Sequence, residues 1–430
     1  MGNKSSLSPG KKCILGVQHL FAMFGATVLV PLLTGMNPSV ALIGAGIGTL
    51  LFHWITGFKV PVFLGSSFAF IGAISAIIKS DGIPAAQGGI IIAGLVYAVI
   101  ALIIKLIGPV KMVKLFPPVV TGPVIVVIGL GLAPTALQNA GLISDGSPDF
   151  KINWITVAVA VFTLAVVIIF NIFIKGFFKL VPILMGFAAG YILCLILDLC
   201  AGTHYIDFEI FKNAHWINIP YVTENFFTIP KFELNAILTI APISLVTFME
   251  HIGDITVNGG VVGKNFIKDP GLHRTLLGDG IATAVGGLIG APANTTYGEN
   301  TAVLATTKIY DPSVLRIAAV FAIILGFFGK FGAVLQAVPG PVLGGVSILL
   351  YGMISSIGIR TLSEANLDFS HSRNLVIVAL ILVTGLGLYN GIAIGGITFS
   401  GLFIAVLVGV IANLILPEKD FDKKEEASEK

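Results

Sequence analysis

The chain has 430 residues, 56% of them hydrophobic and 11% charged, with a formal net charge of +3. A soluble domain carries about 25% charged residues, so composition excludes a soluble globular protein. Apolar runs near the ~20 residues that a membrane helix needs recur along the whole length. The three cysteines, Cys13, Cys194 and Cys200, have no metal-like spacing, and Cys194 and Cys200, near one helix end, read as apolar filler. With no metal cluster, nucleotide loop or nucleophile–base pair in the sequence, neither an enzyme nor a cofactor is expected.

The chain opens on a short, polar, basic stretch, Met1 to Lys12, and the segment after it is too long and too polar at Gln18 and His19 for a cleaved signal peptide. Fourteen membrane segments are predicted, at roughly 13–35, 39–57, 60–80, 87–107, 112–136, 152–174, 178–200, 235–256, 275–290, 292–310, 313–336, 340–360, 372–389 and 396–416. The third and tenth do not read as full helices. Val60 to Ser67 is a short extended run followed by a half-helix from about Phe68. The stretch from Gly290 to Lys308 has the same plan: Pro292, Asn294, Thr295 and Thr296 read as extended backbone, and helix follows with Glu299 in its first turn. A helix start leaves N–H groups without partners and carries partial positive charge. Broken backbone at membrane depth is tolerated only where it is buried in protein or lines a cavity. A carboxylate there marks half of a substrate site. The tail after Pro417 is a charged run, expected to be disordered.

With the N-terminus placed in the cytoplasm, 20 of the 25 lysines and arginines fall inside, and only Lys79, Lys151, Lys212, Lys231 and Lys330 fall outside. Both termini are therefore expected in the cytoplasm, and the loop 201–232 outside. Pro117, Val120, Gly122 and Val124 of segment five align with Pro339, Val342, Gly344 and Val346 of segment twelve. The two broken segments are also seven apart. An odd offset inverts the second half, and inverted repeats with paired broken helices are the mark of a secondary transporter with its site near the midplane.

Acids at membrane depth are few. Glu250 and Asp254 stand four apart on one face of segment eight, Asp279 lies in segment nine and Glu299 in segment ten. Charging a carboxylate at mid-membrane costs several kcal/mol, so such a group can carry a proton at neutral pH. Each has a plainer reading: Glu250 holding a broken helix end, Asp254 at a wet helix end near Lys264, Asp279 capping backbone amides ahead of Gly280. His19 is expected to hydrogen-bond a neighbouring half-helix. His251 and His273 read as lying near loops and take no role.

The motifs Gln18 to Pro31, Leu64 to Phe70, Asp269 to Arg274 and Asn294 to Asn300 closely resemble the nucleobase–ascorbate transporter (nucleobase:cation symporter-2) family, in its branch of bacterial uracil:proton symporters. The likeness runs from about Gln18 to Pro417. The family signature reads here Glu299, Asn300, Ala302, Thr307, Lys308, with Ala302 where the family has Gly. The resemblance implies an all-α polytopic membrane protein with a seven-plus-seven inverted repeat and short extended strands in segments 3 and 10. It implies a core domain (13–107 and 235–336), a gate domain (112–200 and 340–416), the external loop 201–232 and a cytoplasmic tail 417–430. Glu250 and Glu299 would then hydrogen-bond the base, the backbone at Phe68 and Gly298 would contact it, and Ala26 and Tyr297 would line the pocket. Proton coupling would fall to Glu299, Asp254 and Glu250, with His19, Ser67, Asn300 and Asp279 in support. Asp254 stands where uracil carriers of this type usually have His and looks like the purine branch, whereas Glu at 299 looks like the uracil branch. Uracil is the expected substrate and xanthine the alternative.

The chemistry of the residues agrees with a nucleobase. Carboxylates accept from ring N–H groups, and helix-start amides donate to ring carbonyls. An anion exchanger would want basic residues at the half-helix starts, and a channel would need a continuous polar path. The expected partners are the base, a proton and the lipid bilayer, with a homodimer as a candidate assembly and no nucleic acid. The expected location is the cytoplasmic (inner) membrane.

Overall fold

The computed structural model describes residues 8–144, 146, 150–223, 226–389, 391–394 and 397–417. The expected tail lies almost wholly outside the described residues. Helix α1 (Pro9–Thr34) and helix α2 (Pro38–Ile55) each open on a proline, which loses nothing where an N–H has no partner, and Asn37 caps α2 by accepting from the Ser39 amide. Gly35, at φ 82°, makes the turn between them. The third segment is broken into strand β1 (Leu64–Ser66), one 3-10 turn (Phe68–Phe70) and α3 (Ile71–Asp81). Next come α4 (Ile83–Ile107), α5 (Pro109–Leu115), α6 (Pro118–Gly131), α7 (Ala133–Asn139), α8 (Trp154–Ile172) and α9 (Pro182–Ala201). The loop that follows holds the short α10 (Phe208–Asn213).

The second half runs α11 (Leu234–Ile240), α12 (Ser244–Val262), α13 (Leu272–Ile289), β2 (Asn294–Thr296), α14 (Gly298–Thr307), α15 (Pro312–Phe327), α16 (Gly329–Gln336), α17 (Gly340–Glu364), α18 (Ser372–Gly387), β3 (Ile392–Ile394), β4 (Ile397–Phe399) and α19 (Gly401–Ile415). A helix or half-helix thus falls on every expected segment. Among the described residues, eight helical stretches are long and apolar enough to cross a membrane, and α15, α18 and α19 are shorter apolar helices.

Three expectations are corrected. Segment eight is not one helix over 235–256. It spans Leu234 to Val262 and is interrupted by a 3-10 turn at Ala241–Ile243, where Pro242 lacks an N–H for the helical ladder. Segment eleven breaks at Phe328. Segment fourteen becomes helical only at Gly401, because β3 and β4 pair antiparallel ahead of it, Ile392 opposite Phe399. Two short runs with β-branched Ile392, Ile394, Ile397 and Thr398, separated in the sequence by Gly395 and Gly396, carry that signal.

Two groups of helices pack among themselves. In one, α2 lies against α13 and α15, α4 against α13, and α1 against α15; in the other, α17 lies against α6 and α8, and α18 against α19 and α6. Without a hydrophobic force between helices in lipid, close approach of small residues holds such groups. A Cβ on Gly94 would stand 2.5 Å from the Gly280 carbonyl, and one on Gly358 2.5 Å from the Gly122 carbonyl. The two prolines aligned in the sequence take the same local conformation. Pro117 and Pro339 are the extended N-caps of α6 and α17, and those two helices pack on each other.

Candidate functional site

The two short strands cross at the centre of the first helix group. β1 and β2 pair antiparallel, with Leu64 opposite Thr296, Gly65 opposite Thr295 and Ser66 opposite Asn294. The pairing is extended by Tyr297 N–H to Phe63 O (3.0 Å) and Ser67 N–H to Ala293 O (2.9 Å). The 3-10 turn leading into α3 and the first turn of α14 start directly after these strands, so both sets of helix-start N–H groups lie at the crossing.

A pair of strands within a membrane would expose unpaired edges. Two threonines close them. Thr49 of α2 accepts from Leu64 N–H (2.9 Å) and donates to Leu64 O (3.4 Å). Thr283 of α13 accepts from Asn294 N–H (3.2 Å) and donates to Asn294 O (3.3 Å). His53 Nε2 lies 2.8 Å from Val62 O, and the Asn294 amide donates to Ala282 O at 3.0 Å. None of these clamps was legible in the sequence, since one buried threonine in a membrane helix looks like another.

Around the crossing stand the predicted residues. Tyr297 is buried, donates to Ser66 O (2.9 Å) and accepts from Thr27 Oγ1 (3.2 Å). Its ring passes over Gly65, and Ala26 on the adjoining turn of α1 is buried. Asn300 donates to His19 O (2.9 Å) and lies 3.2 Å from His19 Nδ1, joining α14 to α1. Asp254 is not left at a wet helix end: it accepts from Thr296 Oγ1 on β2 at 2.6 Å. One turn on, Asn258 donates to Pro61 O (3.0 Å) and Thr301 Oγ1 (3.1 Å).

Asp279 and His251 are corrections. Asp279 does not cap amides, and His251 is not near a loop. Both are fully buried, with Asp279 Oδ2 2.9 Å from His251 Nδ1 and Thr275 Oγ1 3.1 Å from His251 Nε2. The pair ties α12 to α13 directly beside Glu250. Glu250 itself accepts no hydrogen bond from a described residue, and it lies within electrostatic range of Asp254, Asp279 and Glu299. The four membrane-depth acids are therefore brought into one cluster.

Cavities open beside Glu299 and beside Phe68. One of about 160 Å³ takes in Glu299 and Ala302 of α14, Gly25 of α1, Lys179 just ahead of α9 and Ile183 in its first turn. The departure at Ala302 thus puts a methyl group into this cavity rather than into a packed interface. The other, of about 440 Å³, is bordered by Phe68, Lys79, Thr135, Gln138, Thr239 and Tyr389, among others. Phe68 stands edge-on to the buried ring of Tyr351 of α17, with centroids 6.1 Å apart. Tyr351 is a partner of Phe68 that the sequence reading missed, because an aromatic in an apolar helix carries no distinguishing signal. Ser67 is buried with its Oγ unpartnered among the described residues, and Gly298 is exposed at the start of α14. Among the described residues, no group of His, Cys, Asp and Glu has the geometry of a metal site.

Residues 10–394 match the Xan_ur_permease model, described as a permease family. Among curated relatives, "Uracil permease" of Bacillus subtilis is 43% identical over 97% of this chain and 95% of its own, and "Uracil permease" of Bacillus caldolyticus is 46% identical over 95% and 92%. "Uracil permease" of Escherichia coli K12 is 41% identical over 93% and 90%. Among solved structures, the transmembrane domain of the cyanobacterial bicarbonate transporter BicA matches with a TM-score of 0.65 at 17% identity, over 94% of this chain and 96% of that one. The murine anion transporter Slc26a9 in its inward-facing state matches with a TM-score of 0.67 at 10% identity, over 96% and 69%. These two speak to the fold alone.

Proposed function

The chain belongs to the Xan_ur_permease family of permeases, and from that premise we propose that it imports uracil across the cytoplasmic membrane by proton symport. The observation that carries this reading is the acid cluster at the strand crossing. Glu250 and Glu299 offer acceptors to the two ring N–H groups of uracil, while the amides at Phe68 and Gly298 offer donors to its carbonyls. Ala26, Tyr297 and Tyr351 supply flat apolar walls. A site built to satisfy a polar ring rejects analogues that leave its buried groups unpaired.

A neutral base gains a driving force only from a co-transported ion. Glu299 stands at a helix start, whose partial charge favours ionisation, in surroundings that disfavour it. In this reading Glu299 loads and releases the proton, Glu250 mainly holds the base, and Asp254 shares the proton through the network that Thr296 joins. Asn300 and His19 fix the half-helix, and Ser67 and Asp279 support the crossing. The first helix group forms a core (13–107 and 235–336) that moves against a gate (112–200 and 340–416). The cavity at Phe68 and Lys79 then serves as the outer approach, and the cavity at Glu299 and Lys179 as the inner one. Both termini are cytoplasmic, the loop 201–232 is external, and a homodimer is a candidate assembly.

Xanthine is the second reading, favoured by Asp254 in place of the histidine of typical uracil carriers. Uptake of labelled uracil into proteoliposomes, competed by xanthine, decides between them. Accumulation that survives collapse of the proton gradient and follows sodium would refute the symport.

A further inference from the structure

After α10 the chain does not hang free. It is strapped across one end of four helices: the first turns of α2 and α4 and the last turns of α13 and α15. Asn218 N–H donates to Phe327 O and Gly329 N–H to Trp216 O, each at 2.9 Å. Phe226 is buried with Val40, Ile43 and Ala291. Thr228 Oγ1 donates to Gln87 Oε1 at 2.7 Å, and Lys231 N–H to Pro84 O at 2.8 Å. Lys330 of α16 donates to Phe211 O (2.7 Å) and stands 4.8 Å over the Phe211 ring.

Against this fixed backbone several large outward side chains are apolar. Trp216 is 68% exposed, Ile217 67%, Tyr221 64%, Val222 75% and Ile229 73%. A mobile loop could fold such groups away from water, but this one is held by the bonds above. Its anchoring points are the ends of apolar helices, which is where the hydrocarbon of a bilayer stops. Trp and Tyr concentrate at that level because a ring with one polar edge suits it, and exposed Lys212 and Lys231 belong at the level of the phosphates.

We propose that the strap is a membrane-surface anchor, with Trp216, Ile217, Tyr221, Val222 and Ile229 seated at the headgroup–acyl boundary of the leaflet on that side. Such a face is buried about 5–10 Å into that boundary. The proposal needs only that the chain spans a membrane, and holds whatever the transported solute.

The chain has three tryptophans, Trp54, Trp154 and Trp216. A Trp54→Phe, Trp154→Phe variant, otherwise full length, reports on Trp216 alone. It is reconstituted in phosphatidylcholine vesicles containing lipid brominated either near the headgroup or near the chain end. The expected result is a blue-shifted emission, quenched more by headgroup-proximal bromine than by the deep label and weakly by aqueous iodide. A second probe, Val222→Trp in the same background with Trp216→Phe, should give the same order. Quenching by iodide as strong as for free tryptophan amide, with no response to brominated lipid, overturns the proposal. Protection from both quenchers that is lost on dilution into excess lipid means a second copy covers the strap, and also overturns it.

Discussion

Gly65→Ala tests the crossing directly, because it adds one methyl group and nothing else. Built on the existing backbone, that methyl carbon stands 2.4 Å from two ring carbons of Tyr297 and 2.6 Å from Thr27 Oγ1. Carbon atoms in contact keep about 3.5–4.0 Å, so something must give by roughly 1 Å. The ring has little freedom: it is buried and bonded through its hydroxyl to Ser66 O and Thr27. The strand has little either, since Thr49 holds Leu64 N–H at 2.9 Å and Ser66 Oγ donates to Thr27 O at 3.1 Å. Overpacking of this kind costs about 1–3 kcal/mol, and a lost hydrogen bond adds about 1 kcal/mol, so a destabilisation of about 2–4 kcal/mol is expected. A misplacement of about 1 Å in a preorganised site costs about 100-fold, and uracil uptake in proteoliposomes should fall by that order. The melting temperature of the purified protein reads the stability term. In a Tyr297→Ala background the same methyl should cost little, because the colliding ring is gone; the double-mutant cycle isolates that contact. A Gly65→Ala protein with unchanged melting and uptake would refute the reasoning, as would a penalty equally large without the Tyr297 ring.

Glu299→Gln keeps shape and a carbonyl acceptor but cannot titrate, so it should still bind uracil at equilibrium while losing accumulation against a gradient; accumulation that persists moves the coupling proton elsewhere. Glu250→Ala removes acceptors to ring N–H groups. At about 1.5–3 kcal/mol for a bond to a charged group it should weaken binding by at least about tenfold, and an unchanged dissociation constant would count against it as a base contact. Cysteine at position 264 should resist an impermeant external label and cysteine at 212 should react, the reverse pattern overturning the proposed topology. Asp311, between α14 and α15, lies 2.8 Å from Lys12. Burial alone would raise its carboxyl, but hydrogen bonds from Lys12 and Ser313 and the Lys12 charge hold it below the ordinary value. A depressed carboxyl stabilises the fold fully above its unfolded value and loses that contribution as pH falls through the folded one. Asp311→Asn should therefore flatten the acid side of the melting-temperature profile, and an unchanged acid limb would show that the contact adds no stability.

The broken segments and the acids were readable because lipid leaves so few reasons for them. A Pro-, Asn- and Thr-rich run in hydrocarbon must be buried extended backbone, and β1 and β2 lie in the two segments where it was expected. What the sequence could not show is pairing across distance. Asp254 reads as a carboxylate one turn from Glu250, and only the fold sets Thr296 against it. His251 and Asp279 are 28 positions apart on successive helices, and nothing local says that their faces meet. Helix interruptions at Pro242 and Phe328 were hidden by continuous hydropathy, which counts apolar residues and is blind to where the backbone hydrogen-bond ladder stops. β4 was absorbed into the predicted segment 396–416, while β3 fell in the link ahead of it.

The threonine clamps have a consequence for how such a carrier changes its taste. With Leu64 and Asn294 held by Thr49 and Thr283, the crossing is a closed frame. Changing any rung would loosen several helices at once. The two positions at which this chain departs from the pattern it resembles, Asp254 and Ala302, are both outside the frame: one on α12 facing a strand hydroxyl, the other on α14 beside a cavity. New preferences can therefore be written on the attachments while the frame stays untouched, and a search for altered specificity should begin with those two side chains rather than with the strands.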